Sequence, residues 1–215
     1  MSIAGRLAQL GTATVAEAAG SGVLEIDLIQ SVPGSKVAGP ARTVRCGQND
    51  NLTVHAAMKS ARPGEVLVLT MPSPAPVALF GELLGIQAMV RGVAGVLIDA
   101  AMRDVEDLCA LNLPVWARWV RVTGASKASR GDIGIPVTVG GVEIRNGDQV
   151  VLDRDGGVVV PSDRADEVLA AAERRAADEV EKRDLYRSGV LSIDRLDVAA
   201  VWPEGARGSR GTDGA

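Results

Sequence analysis

Short apolar runs alternate with segments of amphipathic, helical spacing along the first half of the chain. Because each run is bounded by glycine, proline or charged residues, it predicts a buried strand rather than a long helix. The predicted strands are residues 41–46, 65–70, 93–98 and 113–119. Run 93–98 is also too short to span a membrane. Helices are predicted between the strands, at 51–61, from Glu82 onward and from Asp104 through Cys109.

Glycine and proline mark the ends of other elements. A capping-box pattern, Thr14-Val-Ala-Glu17, predicts the start of a helix, and Gly20 and Gly22 predict its end. The segment 71–80, MPSPAPVALF, carries three prolines and predicts a semi-rigid loop before Gly81. Loops in such positions often carry specificity, so this one is expected to form a wall of a cleft.

The pattern changes after residue 135. Valine, threonine, glutamate and isoleucine alternate between Gly-Gly, Asn-Gly and Asp-Gly pairs, which predicts antiparallel hairpins. A helix is predicted at 162–187, with an apolar face formed by Val168, Leu169, Ala172, Ala176 and Val180. The chain is expected to form a single domain at 1–202. The polar, glycine-rich segment 203–215 is expected to be a disordered tail.

Composition narrows the function classes. The net charge is −4 and there are only five aromatic residues, so neither a basic surface nor base-stacking platforms are expected and direct nucleic-acid binding is disfavoured. No membrane segment is predicted. Cys46 and Cys109 share no CxxC spacing and no signal peptide is recognised, which favours buried, reduced thiols in a cytoplasmic protein. His55 is the only histidine, which excludes multi-histidine zinc sites. Its place in a predicted amphipathic helix is typical of a packing or hydrogen-bonding residue.

Candidate chemistry concentrates in residues 81–104. Arg103 offers a permanent cation with a planar fork of donors that suits an anion, and Asp104 offers the hard oxygens that Mg²⁺ or Mn²⁺ prefers. The free N–H groups at the start of the helix that opens at Glu82 can hold a carboxylate or phosphate. The residues alone also fit a purely structural role, with Asp104 at a helix start and Arg103 solvated or paired.

The spacing resembles that of a known family. Glu82, twenty further residues and then Arg103-Asp104 are similar to the signature of the class II pyruvate aldolases that cleave 4-hydroxy-4-methyl-2-oxoglutarate and 4-carboxy-4-hydroxy-2-oxoadipate. Segments 50–69, 113–118 and 135–161 also resemble this family. Its superfamily contains the regulator of ribonuclease E. The resemblance implies an α/β protein with the three-layer β/β/α swivelling fold, in which parallel and antiparallel sheets are mixed.

The resemblance also implies a reaction. It is a metal-assisted retro-aldol cleavage of a small anionic 4-hydroxy-2-oxo di- or tricarboxylic acid that releases pyruvate, with oxaloacetate decarboxylation as a side activity. By resemblance, Asp104 holds Mg²⁺ or Mn²⁺ and Arg103 faces the 2-oxo oxygen. Gly81 and the N–H groups of Leu83 and Leu84 receive the pyruvyl carboxylate.

Three further residues carry over from the family. Glu82 occupies the position that handles a proton through a water, where these aldolases usually carry aspartate. Lys127, in the loop 121–130, matches a lysine that attracts a substrate carboxylate, although a solvated loop lysine fits equally well. Glu179 matches an acid that reaches the metal waters of the neighbouring subunit, with Glu181 as a competing candidate. That role requires the homotrimer or hexamer that the resemblance implies.

A second function class stays open. The chain is also expected to fit a protein-binding regulator of the ribonuclease E inhibitor type, which acts through its surface and needs no divalent metal. A methyltransferase is disfavoured because no G-x-G-x-x-G turn follows an early strand.

Overall fold

A computed structural model describes residues 1–196 of the protein. Its helices α1 to α6 are, in chain order, Ile3–Leu10, Thr12–Ala19, Leu52–Ala57, Glu82–Val90, Val105–Ala110 and Ala165–Arg187. Its strands β1 to β11 are Ile29–Gln30, Val37–Arg45, Val66–Thr70, Ala78–Phe80, Gly95–Met102, Val115–Val120, Asp132–Ile133, Val137–Val139, Val142–Ile144, Gln149–Asp153 and Gly156–Val160. Short 3-10 helices lie at Ser162–Arg164 and Ser192–Arg195.

Nine of the strands form one mixed sheet. Its main path runs in the order β1-β6-β5-β3-β2-β10-β11, with β4 paired to β5 and β7 paired to β2. The neighbours β2, β3, β5 and β6 are parallel, whereas β1, β10 and β11 join by antiparallel pairing. β8 and β9 form a separate antiparallel hairpin. The predicted combination of parallel β-α units with later antiparallel hairpins is therefore confirmed.

Alternation along the central strands feeds two cores. Leu67 and Leu69 of β3 face a core shared with α3, α4 and α5, whereas Val66 and Val68 face a core shared with β8, β9 and β10. Successive side chains of a strand point to opposite faces, so a strand covered on both sides is apolar throughout. A third core joins α1, α2 and the start of α6 to β10 and β11.

The central strand β5 is longer than predicted. The expected strand at 93–98 ends at a charged residue, but β5 continues through Asp99 to Met102. Asp99 is buried and paired with Arg118 of the neighbouring strand β6. Burial raises the pKa of this carboxyl, and the arginine opposes that rise. In the sequence, the charged Asp99 looks like the end of a strand. In the fold the strand continues through it, because its ionic partner lies on the next strand.

Several other boundaries also move. The capping-box prediction at Thr14 is wrong, because α2 begins at Thr12 and is preceded by the unpredicted α1. The end of the expected loop 71–80 forms β4, which pairs in parallel with β5. Cys46 is buried as expected, but Cys109 is exposed. Val180 of α6 is also exposed rather than part of a buried face.

The described chain divides into two compact units. The first is Met1–Arg175 and the second begins at Ala176. The predicted single domain at 1–202 runs past the described residues and stays a prediction. The predicted tail at 203–215 lies outside the described residues. No helix within residues 1–196 is both long and apolar enough to cross a membrane.

Asp153 fastens the start of α2 to the antiparallel part of the sheet. Its buried carboxylate accepts hydrogen bonds from the Thr12 N–H at 2.8 Å, the Thr12 hydroxyl at 2.6 Å and the Asp155 N–H at 2.9 Å. Because Gly11 at the helix N-cap has no side chain to offer, the aspartate supplies the missing acceptor from β10.

We expect Asp153→Ala to lower the free energy of unfolding by about 3 kcal/mol, because it leaves buried donors without an acceptor. Urea unfolding at fixed protein concentration measures the loss. Asp155→Ala is the matched control and should change the unfolding free energy by less than about 0.5 kcal/mol, since Asp155 uses only its backbone N–H here. Equal losses in the two variants would contradict this role of Asp153.

Candidate functional site

The candidate site lies at the carboxyl ends of β4 and β5. These strands are parallel, with Phe80 registered opposite Met102, so the residues that follow them meet at one edge of the sheet. A cavity of about 330 Å³ opens there. It is lined by Asn51, His55, Ala78, Phe80, Gly81, Glu82, Leu83, Leu84, Arg103, Asp104, Asp107, Gly124, Ala125 and Lys127. All the residues predicted for the site line this cavity, apart from Glu179.

Gly81 sits at the narrowest junction of the site. A Cβ atom at this position would lie 2.4 Å from Oδ2 of Asp104 and 3.0 Å from Cγ of Arg103. The Glu82 N–H, the first of α4, donates to the same Asp104 oxygen at 3.1 Å. The close approach of the two chain segments therefore requires glycine, for a steric reason rather than a conformational one.

The first turn of α4 keeps further donors. Gly81 is the N-cap and provides no side-chain acceptor for the helix. The N–H groups of Leu83 and Leu84 belong to the first turn, where a helix has no internal acceptors. Both residues line the cavity, so these groups and the positive end of the helix dipole suit a bound carboxylate.

Asp104 has an unusual backbone. It is one of three non-glycine residues with positive φ in residues 1–196, with φ 55° and ψ 45°. This left-handed conformation costs about 1–2 kcal/mol for an ordinary residue. Asp104 is the N-cap of α5, yet its side chain does not cap that helix. Its carboxylate turns to α4 and to Arg103 instead.

Arg103 fills the space between two glycines. Its Nε lies 3.5 Å from Oδ2 of Asp104, and its backbone N–H donates to the Phe80 carbonyl at 3.1 Å. A Cβ atom on Gly124 would lie 2.9 Å from Nη1 of Arg103. About half of the arginine side chain stays exposed, so the guanidinium has donors left for a ligand.

Asp50 holds the loop 121–130, which forms part of the cavity wall. Its buried carboxylate accepts from the Ser126 hydroxyl at 2.5 Å, from the N–H groups of Ala128 at 2.6 Å and Ser129 at 3.0 Å, and from the Leu52 N–H at 2.8 Å. These hydrogen bonds hold the pKa of Asp50 well below its usual range, even though burial opposes them. The loop is therefore fixed on both sides of Lys127, which lines the cavity.

Two wall residues were not predicted as site residues. Asn51 and His55 stand one turn apart at the start of α3, and both line the cavity. Oδ1 of Asn51 and Nε2 of His55 are buried without a hydrogen-bond partner among the described residues. Burial lowers the pKa of His55, and the charge of Lys127 lowers it further. The i, i+4 spacing of two polar residues on a largely buried helix was the signal for them in the sequence.

The predicted specificity loops contribute only in part. From the segment 71–80, Ala78 and Phe80 reach the cavity, and from the loop 121–130 the lining residues are Gly124, Ala125 and Lys127. Glu179 lies in the second unit and pairs with Arg183 at 3.1 Å.

The donor set suits a metal bound largely by non-protein ligands. Within residues 1–196, no group of three His, Cys, Asp or Glu side chains could enclose a cation. One oxygen of Asp104 is engaged by the Glu82 N–H, and its side chain is 38% exposed, which leaves the other oxygen for a ligand. A single carboxylate fits Mg²⁺ or Mn²⁺, which keep waters and bind substrate oxygens.

Fold and cavity together define an α/β protein in which a helix N-terminus, an arginine and several carboxylates meet at the ends of parallel strands. The chain belongs to the RraA-like family, described as Aldolase/RraA, whose family model matches residues 12–160. A relative from Halalkalibacterium halodurans, named "Putative 4-hydroxy-4-methyl-2-oxoglutarate aldolase", is 36% identical over 158 residues, which is 74% of this chain and 75% of the relative.

Solved structures extend the comparison. RraAS2 of Streptomyces coelicolor, described as an unusual member of the RNase ES inhibitor RraA protein family, has a TM-score of 0.75 and 28% identity, covering 84% of this chain and 95% of that chain. The RNA-processing inhibitor RraA from Thermus thermophilis has a TM-score of 0.64 and 27% identity, covering 70% and 92%. These similarities confirm the family and the α/β fold predicted from the sequence.

We expect Lys127→Met to raise the pKa of His55 towards its ordinary value of 6.5, because a nearby cation disfavours the imidazolium. An NMR titration is unambiguous, since the chain has one histidine. Lys59→Met is the control: it removes a lysine four residues after His55 in the chain and should leave the pKa of His55 unchanged. An unshifted His55 in Lys127→Met would contradict the proximity of the two groups.

The lowered pKa also fixes a stability trend. Because unfolded His55 binds a proton more readily than folded His55, its contribution to folding weakens as pH falls from about 6.5 towards the folded pKa. In Lys127→Met that weakening should be smaller.

Proposed function

We propose that the protein is a divalent-metal-dependent aldolase that cleaves a 4-hydroxy-2-oxo di- or tricarboxylic acid into pyruvate and a second oxo acid. The observation that carries this proposal is the convergence of the α4 N-terminus, Arg103, Asp104 and Glu82 on one cavity. Membership of the Aldolase/RraA family supports the same class of reaction. Oxaloacetate decarboxylation is proposed as a side activity, because it passes through the same pyruvate enolate.

Binding of the pyruvyl end uses donors that the fold leaves available. The Leu83 and Leu84 N–H groups receive the carboxylate at C1, and the guanidinium of Arg103 donates to the oxygen at C2. Lys127, which also lines the cavity, attracts a carboxylate at the far end of the substrate. Mg²⁺ or Mn²⁺ held by Asp104 would act as a Lewis acid and stabilise negative charge on the C2 oxygen.

The cleavage moves one proton and one electron pair. The hydroxyl at C4 loses its proton, the C4–O bond becomes a carbonyl and the C3–C4 bond breaks. Its electron pair moves into a C2–C3 double bond, so that charge develops on the C2 oxygen beside Arg103. Glu82, which lines the cavity, is the proposed base through a water, and protonation of C3 completes pyruvate.

The predicted role of Glu179 stays a proposal. Its pairing with Arg183 stabilises the last helix within the second unit. A contribution to the metal waters of a neighbouring subunit would require the predicted trimer or hexamer.

A protein-binding regulator is the second candidate. The similarity to two RraA structures favours it. The Thermus protein is described as an RNA-processing inhibitor, and the Streptomyces protein as an unusual member of the RNase ES inhibitor RraA family. Such a role needs neither metal nor turnover, so Asp104→Ala would leave partner binding intact while it removed aldolase activity.

The metal and Arg103 can be tested with 4-hydroxy-4-methyl-2-oxoglutarate and with oxaloacetate. We expect pyruvate release with Mg²⁺ or Mn²⁺, none with EDTA, and a loss in Asp104→Asn. Arg103→Lys should lower kcat about 10²- to 10³-fold, because the donor fork on the developing oxyanion is lost. Pyruvate release is followed by the oxidation of NADH through lactate dehydrogenase.

The matched control for these variants is Glu106→Gln. Glu106 lies in the first turn of α5, two residues after Asp104, but does not line the cavity. It should retain wild-type rates. Absence of pyruvate with both metals and both substrates would reject aldolase function for these compounds.

The proton role of Glu82 gives a separate test. Glu82→Gln should lower kcat about 10²- to 10⁴-fold, as expected for loss of a general base, without weakening the Glu82 N–H contact to Asp104. Glu82→Asp keeps the carboxylate and should retain most of the activity. The pH dependence of kcat distinguishes a base from a structural acid, because its acidic limb should disappear only in Glu82→Gln.

A further inference from the structure

The cavity wall contains two polar atoms that the protein leaves unsatisfied. Oδ1 of Asn51 and Nε2 of His55 are each less than 1 Å² exposed and have no hydrogen-bond partner among the described residues. A buried polar atom without a partner costs about 1–3 kcal/mol. Both residues line the cavity of the candidate site, so a ligand in the cavity lies beside the side chains that carry these two atoms.

The amide of Asn51 has a fixed direction. Its Nδ2 donates to the carbonyl of Leu79 at 3.0 Å, which leaves Oδ1 as the free end. An amide oxygen only accepts hydrogen bonds. A ligand carboxylate at this point would set acceptor against acceptor, so the group that Asn51 selects must bring a proton.

The imidazole of His55 completes the requirement. Burial and the charge of Lys127 favour its neutral form, in which one ring nitrogen donates and the other accepts. Asn51 and His55 are one helical turn apart, joined by the His55 N–H to Asn51 carbonyl bond at 3.3 Å. In the neutral tautomer with its hydrogen on Nε2, a hydroxyl satisfies both side chains at once, because it can donate to Asn51 Oδ1 while it accepts from the Nε2–H group.

We propose that Asn51 and His55 form a hydroxyl-binding subsite that makes the protein selective for hydroxylated 2-oxo acids over their deoxy counterparts. This inference rests on the proposed function, in which the hydroxyl is the one at C4 of the substrate. Neither residue removes the proton: an amide oxygen is too weak a base, and the neutral imidazole is proposed as the tautomer with its hydrogen on Nε2. Glu82 remains the base: for cleavage the hydroxyl turns its single proton from Oδ1 of Asn51 to the water of Glu82, while His55 continues to donate to the same oxygen as it becomes a carbonyl.

Two substrates separate this role from a structural one. Pyruvate has no C4, so the exchange of its C3 hydrogens with D₂O passes through the same enolate without using the subsite. We expect His55→Phe to lower kcat/KM for cleavage of 4-hydroxy-4-methyl-2-oxoglutarate about 10- to 100-fold, with the rate of this exchange changed less than about twofold. His55→Gln, which retains an N–H donor near the position of Nε2, should recover part of the cleavage. Equal losses in cleavage and in exchange, or no loss in either, would overturn the proposal.

A binding measurement makes the inference independent of turnover. In the Glu82→Gln protein with Mg²⁺, the ¹⁵N resonance of Nε2 of the single histidine is followed as 4-hydroxy-2-oxoglutarate or 2-oxoglutarate is added. We expect the hydroxylated acid alone to shift this resonance. Equal shifts with both acids, or no shift with either, would count against the subsite. If the wild-type protein releases pyruvate from neither 4-hydroxy-4-methyl-2-oxoglutarate nor oxaloacetate, the proposed function fails. The comparison of the two acids by NMR then decides the hydroxyl-binding role by itself.

Discussion

The carboxylate of Asp104 joins the fold to the site. One of its oxygens accepts from the first N–H of α4 and lies near Nε of Arg103, so the end of β5 and the start of α4 are held at one point. The left-handed backbone of Asp104 allows this turn, and the missing side chain of Gly81 makes room for it. The arrangement of the α4 donors, the guanidinium and the carboxylates depends on this one contact.

Local patterns predicted the elements that carry the site, and long-range partners explain the rest. β3, α4 and α5 followed from apolar runs and helix starts, whose causes lie within a few residues. The length of β5 did not, because Asp99 is tolerated in the strand only through Arg118 on the next strand. β4 was missed since the prolines of 71–80 disguise a short strand that exists by pairing with β5.

The same distinction applies to the site. Arg103 and Asp104 are adjacent in sequence, and their spacing from Glu82 could be recognised directly. The wall formed by Asn51 and His55 is brought to them by the parallel order of β2, β3 and β5, a register that no local pattern specifies. A single histidine on an amphipathic helix is usually a packing residue. His55 differs because it lines the cavity and its buried Nε2 has no partner among the described residues.

The free-energy costs in the site favour ligand binding over a purely surface role. Each unsatisfied buried polar atom costs about 1–3 kcal/mol, whereas the left-handed conformation of Asp104 is one that aspartate adopts more readily than most residues. Proteins retain unfavourable local features of this kind chiefly at functional sites, where a bound ligand offsets their free-energy cost. A regulator that acts through its outer surface does not require two unsatisfied polar side chains in the wall of one cavity. The aldolase proposal gives these side chains a role, because the carbonyl, carboxylate and hydroxyl oxygens of its substrate match the donors and acceptors that the protein leaves open.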